Sequence, residues 1–332
     1  MRHLLLIIAT VMIFHVVNLR AGADEVVQPL ALELYSTGNL DSAEVLCLQL
    51  IVSDASCPTT YICLGNIYFA RGQMLKKDGK FAAVGPVFTK AIKYYSRALM
   101  LQPGNLTALI NIGMSYYELN QFNPAERYFR EVLEIDPNNP AALQNMGNAL
   151  FWVDSDSADY EKAGRYWNMA LQARPADDIT RAVILTNIGI AYYKMGRIDS
   201  AIYAYTESIG IDSNSPGTYV LLGRAIAMSN LDKAIELYRK ALALDSLYVP
   251  AFGAWAEALY IMNDNTLFTF GDKAKELRDF IKKALKDDPD NAAAYHLYLG
   301  DLYMAENKFN RAEAEYEKAG ELNPYLRISR NY

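Results

Sequence analysis

The chain has 332 residues, of which 52% are apolar and 21% charged, the composition of ordinary globular material rather than of a disordered chain. Its formal net charge of -6 argues against a nucleic-acid surface, which needs a basic stripe to neutralise phosphates. Length alone would suggest two domains, but a chain of stacked repeats escapes that limit because each repeat touches only its neighbours.

The N-terminus has the layout of an export signal. Arg2 gives a positive start, Leu4 to Val17 form a mostly apolar run, and Ala21-Gly22-Ala23 offers a small-x-small cleavage site before Asp24. Residues 1–23 are therefore expected to be a signal peptide, and the mature chain to begin at Asp24. The apolar run is shorter than the ~20 residues that span a bilayer. The expected location is the periplasm of a Gram-negative cell. Secretion, or anchoring by an uncleaved signal, is the alternative. Cleavage would remove His3 and His15 and leave His296 as the one histidine. That argues against zinc sites and His-based catalysis, which need a histidine beside further ligands or a nucleophile. No catalytic residue, metal or cofactor is expected.

Cys47, Cys57 and Cys63 cluster within seventeen residues. In an oxidising compartment one local disulfide can form among them, leaving one thiol over. Buried thiols are the other reading, and the spacing matches no metal motif.

From here the chain repeats at a spacing of thirty-four residues: Ala91 returns as Ala125, Pro103 as Pro137, Asn111 as Asn145, Gly113 as Gly147 and Gly189 as Gly223. A period in this range marks a solenoid of stacked supersecondary units. Each unit reads as two helices, with a small residue in the first and an Ala in the second. In chain order these anchors are Ala31/Ala43, Gly65/Ala91, Gly113/Ala125, Gly147/Ala163, Gly189/Ala201, Gly223/Ala234, Ala256/Leu277 and Gly300/Ala312. Bulky residues surround them at helical spacing, as with Leu109, Ile112, Tyr116, Phe129, Val132 and Leu133 in the third unit. No stretch sustains the alternation of a strand.

The turns give an independent check. Seven residues after each first anchor stand Gly38, Gly72, Asn120, Asp154, Gly196, Asn230, Asn263 and Asn307. All are types that tolerate the positive φ at which helices commonly end. Asp41, Asn123, Asp199, Asp232 and Asn310 are placed to cap the second helices, and Asn123-Pro124-Ala125-Glu126 puts Pro at the first helical position. Second helices then run into Pro103, Pro137, Pro175, Pro289 and Pro324.

The combination Leu109, Ile112, Gly113, Tyr116, Ala125, Phe129, Val132 and Pro137 resembles the tetratricopeptide repeat (TPR). The resemblance covers about residue 28 to residue 324, with degenerate first and seventh copies. It implies an all-α, right-handed superhelical solenoid of about eight helical hairpins. The repeats would fall at 24–57, 58–103, 104–137, 138–175, 176–213, 214–246, 247–289 and 290–324, with a short tail at 325–332. About fourteen extra residues around Lys76 to Pro86, the acidic loop Asp154 to Asp159, and a stretch with Leu267, Phe268 and Phe270 interrupt the period. A lengthened helix or turn is the simpler account of each, and a binding edge the alternative.

In such a stack the first helices line a concave face. The resemblance places there an amide stripe, Asn66, Asn111, Asn145, Asn148 and Asn187, and an aromatic stripe, Phe69, Tyr117, Phe151, Trp152 and Tyr193. Asn amides both donate and accept, so a ladder of them can hold the backbone of an extended peptide. Inherited local packing is the other account of both stripes. Some family members clamp a terminal carboxylate with Lys, Arg and Asn; here the basic positions hold Ile62, Ala141 and Asn145. Arg224, Glu257 and Asp301 bring charge to the last three repeats. The acidic loop lacks the Gly and the bidentate Glu of a calcium loop, so it reads as solvated. Asn105-Leu106-Thr107 fits a glycosylation acceptor.

The expectation is a non-enzymatic protein–protein interaction scaffold that binds an extended segment of a partner protein on its concave face. Envelope assembly, secretion or surface-complex support would be its setting. The alternative is a structural oligomer joined through the solenoid ends and the insertions, since Tyr325, Leu326, Ile328 and Tyr332 leave the C-terminal end apolar.

Overall fold

The computed structural model describes residues 24–153, 157–175, 177–261 and 270–324. The expected signal peptide, Asp154, Asn263, Leu267, Phe268 and the C-terminal tail lie outside the described residues. Every regular element among the described residues is helical, with sixteen α-helices and one 3-10 turn at Pro289–Asn291. The fold is the all-α stack of hairpins that the period implies, and the chain divides into two compact units, residues 1–155 and 156–332.

The first unit holds α1 (Asp24–Ser36), α2 (Leu40–Ser53), α3 (Pro58–Lys77), α4 (Phe81–Leu101), α5 (Leu106–Glu118), α6 (Phe122–Ile135) and α7 (Pro140–Val153). Sequential helices pack as hairpins, α1 on α2, α3 on α4 and α5 on α6. The first helices α3, α5 and α7 also lie side by side.

The second unit holds α8 (Ser157–Gln172), α9 (Asp178–Lys194), α10 (Ile198–Ile211), α11 (Pro216–Ile226), α12 (Leu231–Leu244), α13 (Val249–Ile261), α14 (Phe270–Asp287), α15 (Ala292–Ala305) and α16 (Phe309–Leu322). Its core runs continuously from Ala201 to Leu302 around Tyr205, Tyr238, Trp255 and Tyr295. Ion pairs join neighbouring helices on its outside: Arg197 to Glu161 at 2.7 Å, and Arg239 to Glu276 through two bonds of 2.7 and 2.6 Å.

One contact explains why the small residue recurs. Four residues after the second-helix Ala stands an aromatic ring, so Ala and ring share one helix face. Tyr95, Phe129, Tyr205, Tyr238 and Tyr316 each pack a ring against the anchor glycine of their own hairpin. A Cβ on Gly113 would sit 2.5 Å from the Phe129 ring, and one on Gly189 would sit 2.5 Å from the Tyr205 ring. Tyr95, Phe129, Tyr205 and Tyr238 are thereby fully buried, worth roughly 1.5–3 kcal/mol for each side chain, and Tyr316 is half-buried.

The turns follow the expected chemistry in four hairpins. Gly38, Asn120, Gly196 and Asn307 have φ of 79°, 57°, 72° and 57°. Gly72 departs from it. It lies inside α3, buried against the Phe88 ring, and the turn comes instead at Gly79 with φ of 70°. Gly72 and Phe88 repeat the Gly65–Tyr95 contact one heptad nearer the turn, seven residues later on α3 and seven earlier on α4. The extra residues have thus lengthened α3 and α4 rather than formed a loop. Asn230 is also no turn residue: its φ is -154°, and its side chain caps α12 by accepting from the Lys233 N–H at 3.0 Å.

The expected caps shift as well. The second helices start earlier, with Asn39, Gln121, Arg197, Asn230 and Lys308 at the cap position. Asp41, Asn123, Asp199, Asp232 and Asn310 therefore fall in the first helical turn, and Pro124 is the third residue of α6 rather than the first. There Asp41, Asp199 and Asp232 act through the helix dipole instead of through a cap bond. Asn105 does cap α5, accepting from the Ala108 N–H at 2.9 Å while its amide donates to Gln102 Oε1 at 2.9 Å. Leu277 is fully buried in α14 opposite the α13 anchor Ala256.

Candidate functional site

The first-unit members of both stripes stand on α3, α5 and α7, and the amides bond to one another. Asn66 Oδ1 accepts from the Tyr95 hydroxyl at 2.7 Å and from Asn111 Nδ2 at 3.0 Å. Burial pushes the Tyr95 hydroxyl well above its ordinary range, so it stays a donor. The ring that locks the second hairpin thus also sets the first amide of the stripe. This pairing leaves Asn66 Nδ2 as donor and Asn111 Oδ1 as acceptor outside the bond, the complement of one peptide unit. Asn145 and Asn148 face each other on α7 at 3.5 Å, the outer limit of a hydrogen bond. All four amides are half-buried.

The aromatic stripe closes into a cluster. Tyr117 on α5 packs edge-on to Phe122 at 5.5 Å. Phe122 stacks on Trp152 of α7 at 6.4 Å, and Phe151 meets Trp152 edge-on at 5.2 Å. The Trp152 indole N–H bonds to the Tyr117 hydroxyl; burial still raises the Tyr117 hydroxyl above its ordinary range. Trp152 is nevertheless 58% exposed, a large ring held by three aromatic neighbours but open on its remaining surface. Phe69 sits apart from this cluster, edge-on to Phe88 at 5.3 Å in the lengthened hairpin.

Phe122 was not among the expected face residues, because it opens a second helix. The signal for it is its place directly after the Asn120-Gln121 turn, which swings the first residue of α6 toward the end of α5. Glu118, also unanticipated, takes Gln73 Nε2 at 2.8 Å and Lys76 Nζ at 2.6 Å, tying the overhanging end of α3 to α5.

Asn187 and Tyr193 belong to the second unit, both on α9. Asn187 is half-buried and Tyr193 is 39% exposed. Arg224 pairs with Glu257 at 3.2 Å, so these two charges are exposed and mutually compensated. Asp301 brings no surface charge: it is 7% exposed and accepts from the Tyr316 hydroxyl at 2.9 Å. His296 bonds through Nδ1 to Glu315 at 2.6 Å on the last hairpin. Among the described residues no group of three His, Cys, Asp or Glu is placed to hold a metal ion, and no helix is long and apolar enough to cross a membrane.

The cysteines resolve into a pair and a single residue. Cys47 on α2 and Cys63 on α3 are buried in one hydrophobic cluster with Ala43, Leu46, Leu64 and Ile67, and their thiols are hydrogen-bonded. Cys57 stands at the cap position of α3, partly exposed.

Comparison with known proteins agrees with the fold. Family models of the tetratricopeptide repeat match residues 107–139, 182–215 and 293–325. No curated protein matches the chain. Among solved structures, the APC/C hetero-tetramer Cut9–Hcn1 aligns with a TM-score of 0.60 at 16% identity, over 75% of this chain and 45% of that one. Yeast Tom70 aligns with a TM-score of 0.56 at 17% identity, over 85% and 55% respectively. MamA aligns at 24% identity over 52% of this chain and 94% of its own, with a TM-score of 0.42. The Cut9–Hcn1 and Tom70 likenesses show the fold, and the chain carries tetratricopeptide repeats.

Proposed function

We propose that the chain is a non-enzymatic interaction scaffold that holds an extended segment of a partner protein along the face formed by α3, α5 and α7. The observation that carries this reading is the Trp152 cluster, which shares α5 with the Asn66–Asn111 pair through Tyr117. A large aromatic ring, immobilised by neighbours and exposed on one side, loses little entropy on binding and is the kind of anchor that dominates interfaces. The paired amides present one donor and one acceptor, which suits a peptide backbone and asks little of its side chains. On the second unit, Asn187 and Tyr193 of α9 offer an amide and an aromatic ring of their own. No basic clamp stands at the corresponding positions, so the bound segment is an internal one rather than a terminal carboxylate. The setting we favour is the bacterial envelope, in assembly or secretion, following the export signal read at residues 1–23.

The test places a photo-crosslinking amino acid at position 148 of the full chain in the native compartment and identifies what is captured. Capture of the same partners should fall at least tenfold when Trp152→Ala is combined with Asn111→Ala, with helicity unchanged. Undiminished capture by that variant would refute the reading. Substituting Asn111, Asn145 and Asn187 together should likewise weaken capture.

A further inference from the structure

The first hairpin of the described chain is joined to the second through few helices, and two features hold it there. One is polar. Arg71 on α3 reaches Asp41 and Glu44 on α2, each at 2.6 Å, while Tyr68 donates to Glu44. The other is the thiol pair. Cys47 is 0% exposed and Cys63 is 3% exposed, on facing helices within one apolar cluster, with their thiols hydrogen-bonded to each other. Two thiols in hydrogen-bond contact across a helix–helix interface are at the approach from which a disulfide forms, and nothing in the packing of a small apolar cluster requires sulfur at both places.

We propose that Cys47 and Cys63 form a redox-switchable staple that locks the first hairpin onto the second, and that Cys57 takes no part. The co-reactant is a low-molecular-weight disulfide. One of the two thiols, as thiolate, attacks one sulfur of that disulfide, its sulfur–sulfur bond breaks, and one small thiolate leaves. The other, as thiolate, then attacks the protein sulfur of the mixed disulfide and expels the second. Two protein thiols are oxidised, one small disulfide is reduced to two thiols, and the two thiol protons end on the leaving thiols. Because both sulfurs are covered, reaction proceeds while α2 and α3 are parted, a local opening of the kind native proteins undergo. Once formed, the bridge closes the chain across the α2–α3 turn and opposes that opening.

The experiment unfolds the reduced full chain in urea and refolds it in a mixture of oxidised and reduced glutathione. Remaining thiols are then alkylated and the cross-linked peptides mapped by mass spectrometry. The wild type and Cys57→Ser should both yield the Cys47–Cys63 peptide pair, with Cys57 alkylated in the wild type. Serine is a good helix cap, so that variant is expected to fold. Amide exchange in α1 and α2 should slow by about a hundredfold on oxidation, the loop-closure effect of a bridge spanning about fifteen residues. Refolded protein of full helicity with Cys47 and Cys63 alkylated would overturn the proposal. So would a dominant bridge that includes Cys57.

Discussion

Gly113→Ala tests the contact on which each hairpin is built. The added Cβ would lie 2.5 Å from Phe129 Cε1 and 2.9 Å from Cδ1 and Cζ. Ordinary carbon contacts are about 3.5–4.0 Å, so the ring or the helix must move by about 1 Å. Phe129 has no exposed surface and no space to retreat. Overpacking of this kind costs about 1–3 kcal/mol. Alanine returns up to about 1 kcal/mol because it is a better helix former than glycine. The expected net loss is about 1–2 kcal/mol. Gly164→Ala is the control of opposite sign. It too is helical, but no atom lies within 4 Å of its added Cβ, so it should gain about 0.5–1 kcal/mol. Urea unfolding of both variants, read from the midpoint at unchanged slope, gives the comparison. Amide exchange in α5 and α6 localises the loss if the stack unfolds in stages. A Gly113→Ala protein as stable as the wild type would refute the argument. In a Phe129→Leu background the cost of Gly113→Ala should shrink, because the ring that the Cβ meets is gone.

Three further outcomes are expected. Asn120→Ala should destabilise by about 1 kcal/mol, because alanine lacks the local hydrogen bonds that let Asn hold a left-handed φ, whereas Asn120→Gly should be neutral or better; thermal melts of the two variants that coincide would count against this. Burial would raise the Glu44 carboxyl, but hydrogen bonds from Tyr68 and Arg71 outweigh it and hold the group below its ordinary value of 4.5. A depressed carboxylate stabilises above its unfolded value and loses that contribution as pH falls through the folded one. Exchange of α2 amides should therefore accelerate below pH 4.5 in the wild type and lose this step in Glu44→Gln; identical pH profiles would dismiss it. Trp152→Ala alone should cost little stability, since the ring is 58% exposed, while abolishing most partner capture; a large drop in melting temperature would mark the residue as structural instead.

The hairpins were legible in the sequence because one packing contact repeats. Gly113 under Phe129 dictates two residue types at a fixed interval, and the same demand recurs at Gly189 and Gly300. Gly72 misled for a related reason. It falls where Asn120 falls in the next repeat, and a glycine suits a turn as well as it suits a close approach; the Phe88 ring seven residues before Tyr95 is what distinguishes the two. The caps were displaced because Asp and Asn serve the first helical turn as readily as the cap itself. At the site, the stripes could be placed by register, but the Asn66–Asn111 bond could not, since it joins residues forty-five apart whose meeting depends on how two hairpins stack. Phe122 was missed because a face defined by first helices excludes the residue that a turn delivers to it.

The lengthened hairpin carries a consequence for how a ligand finds its place. α3 has 20 residues and α4 has 21, against 13 and 14 in α5 and α6. Gly65 and Gly113 occupy the same position from the start of their helices, so all the added length lies at the turn end and projects about 10 Å beyond the next hairpin. A row of equal hairpins is a ruler without a zero: a segment that fits one repeat fits again one repeat along, and the bound population is a mixture of offsets. A projection at one known hairpin gives the ruler its zero. A segment lying along α3, α5 and α7 would meet a different wall at the second hairpin than at any neighbour in its unit, and only one offset satisfies both that wall and the Trp152 ring.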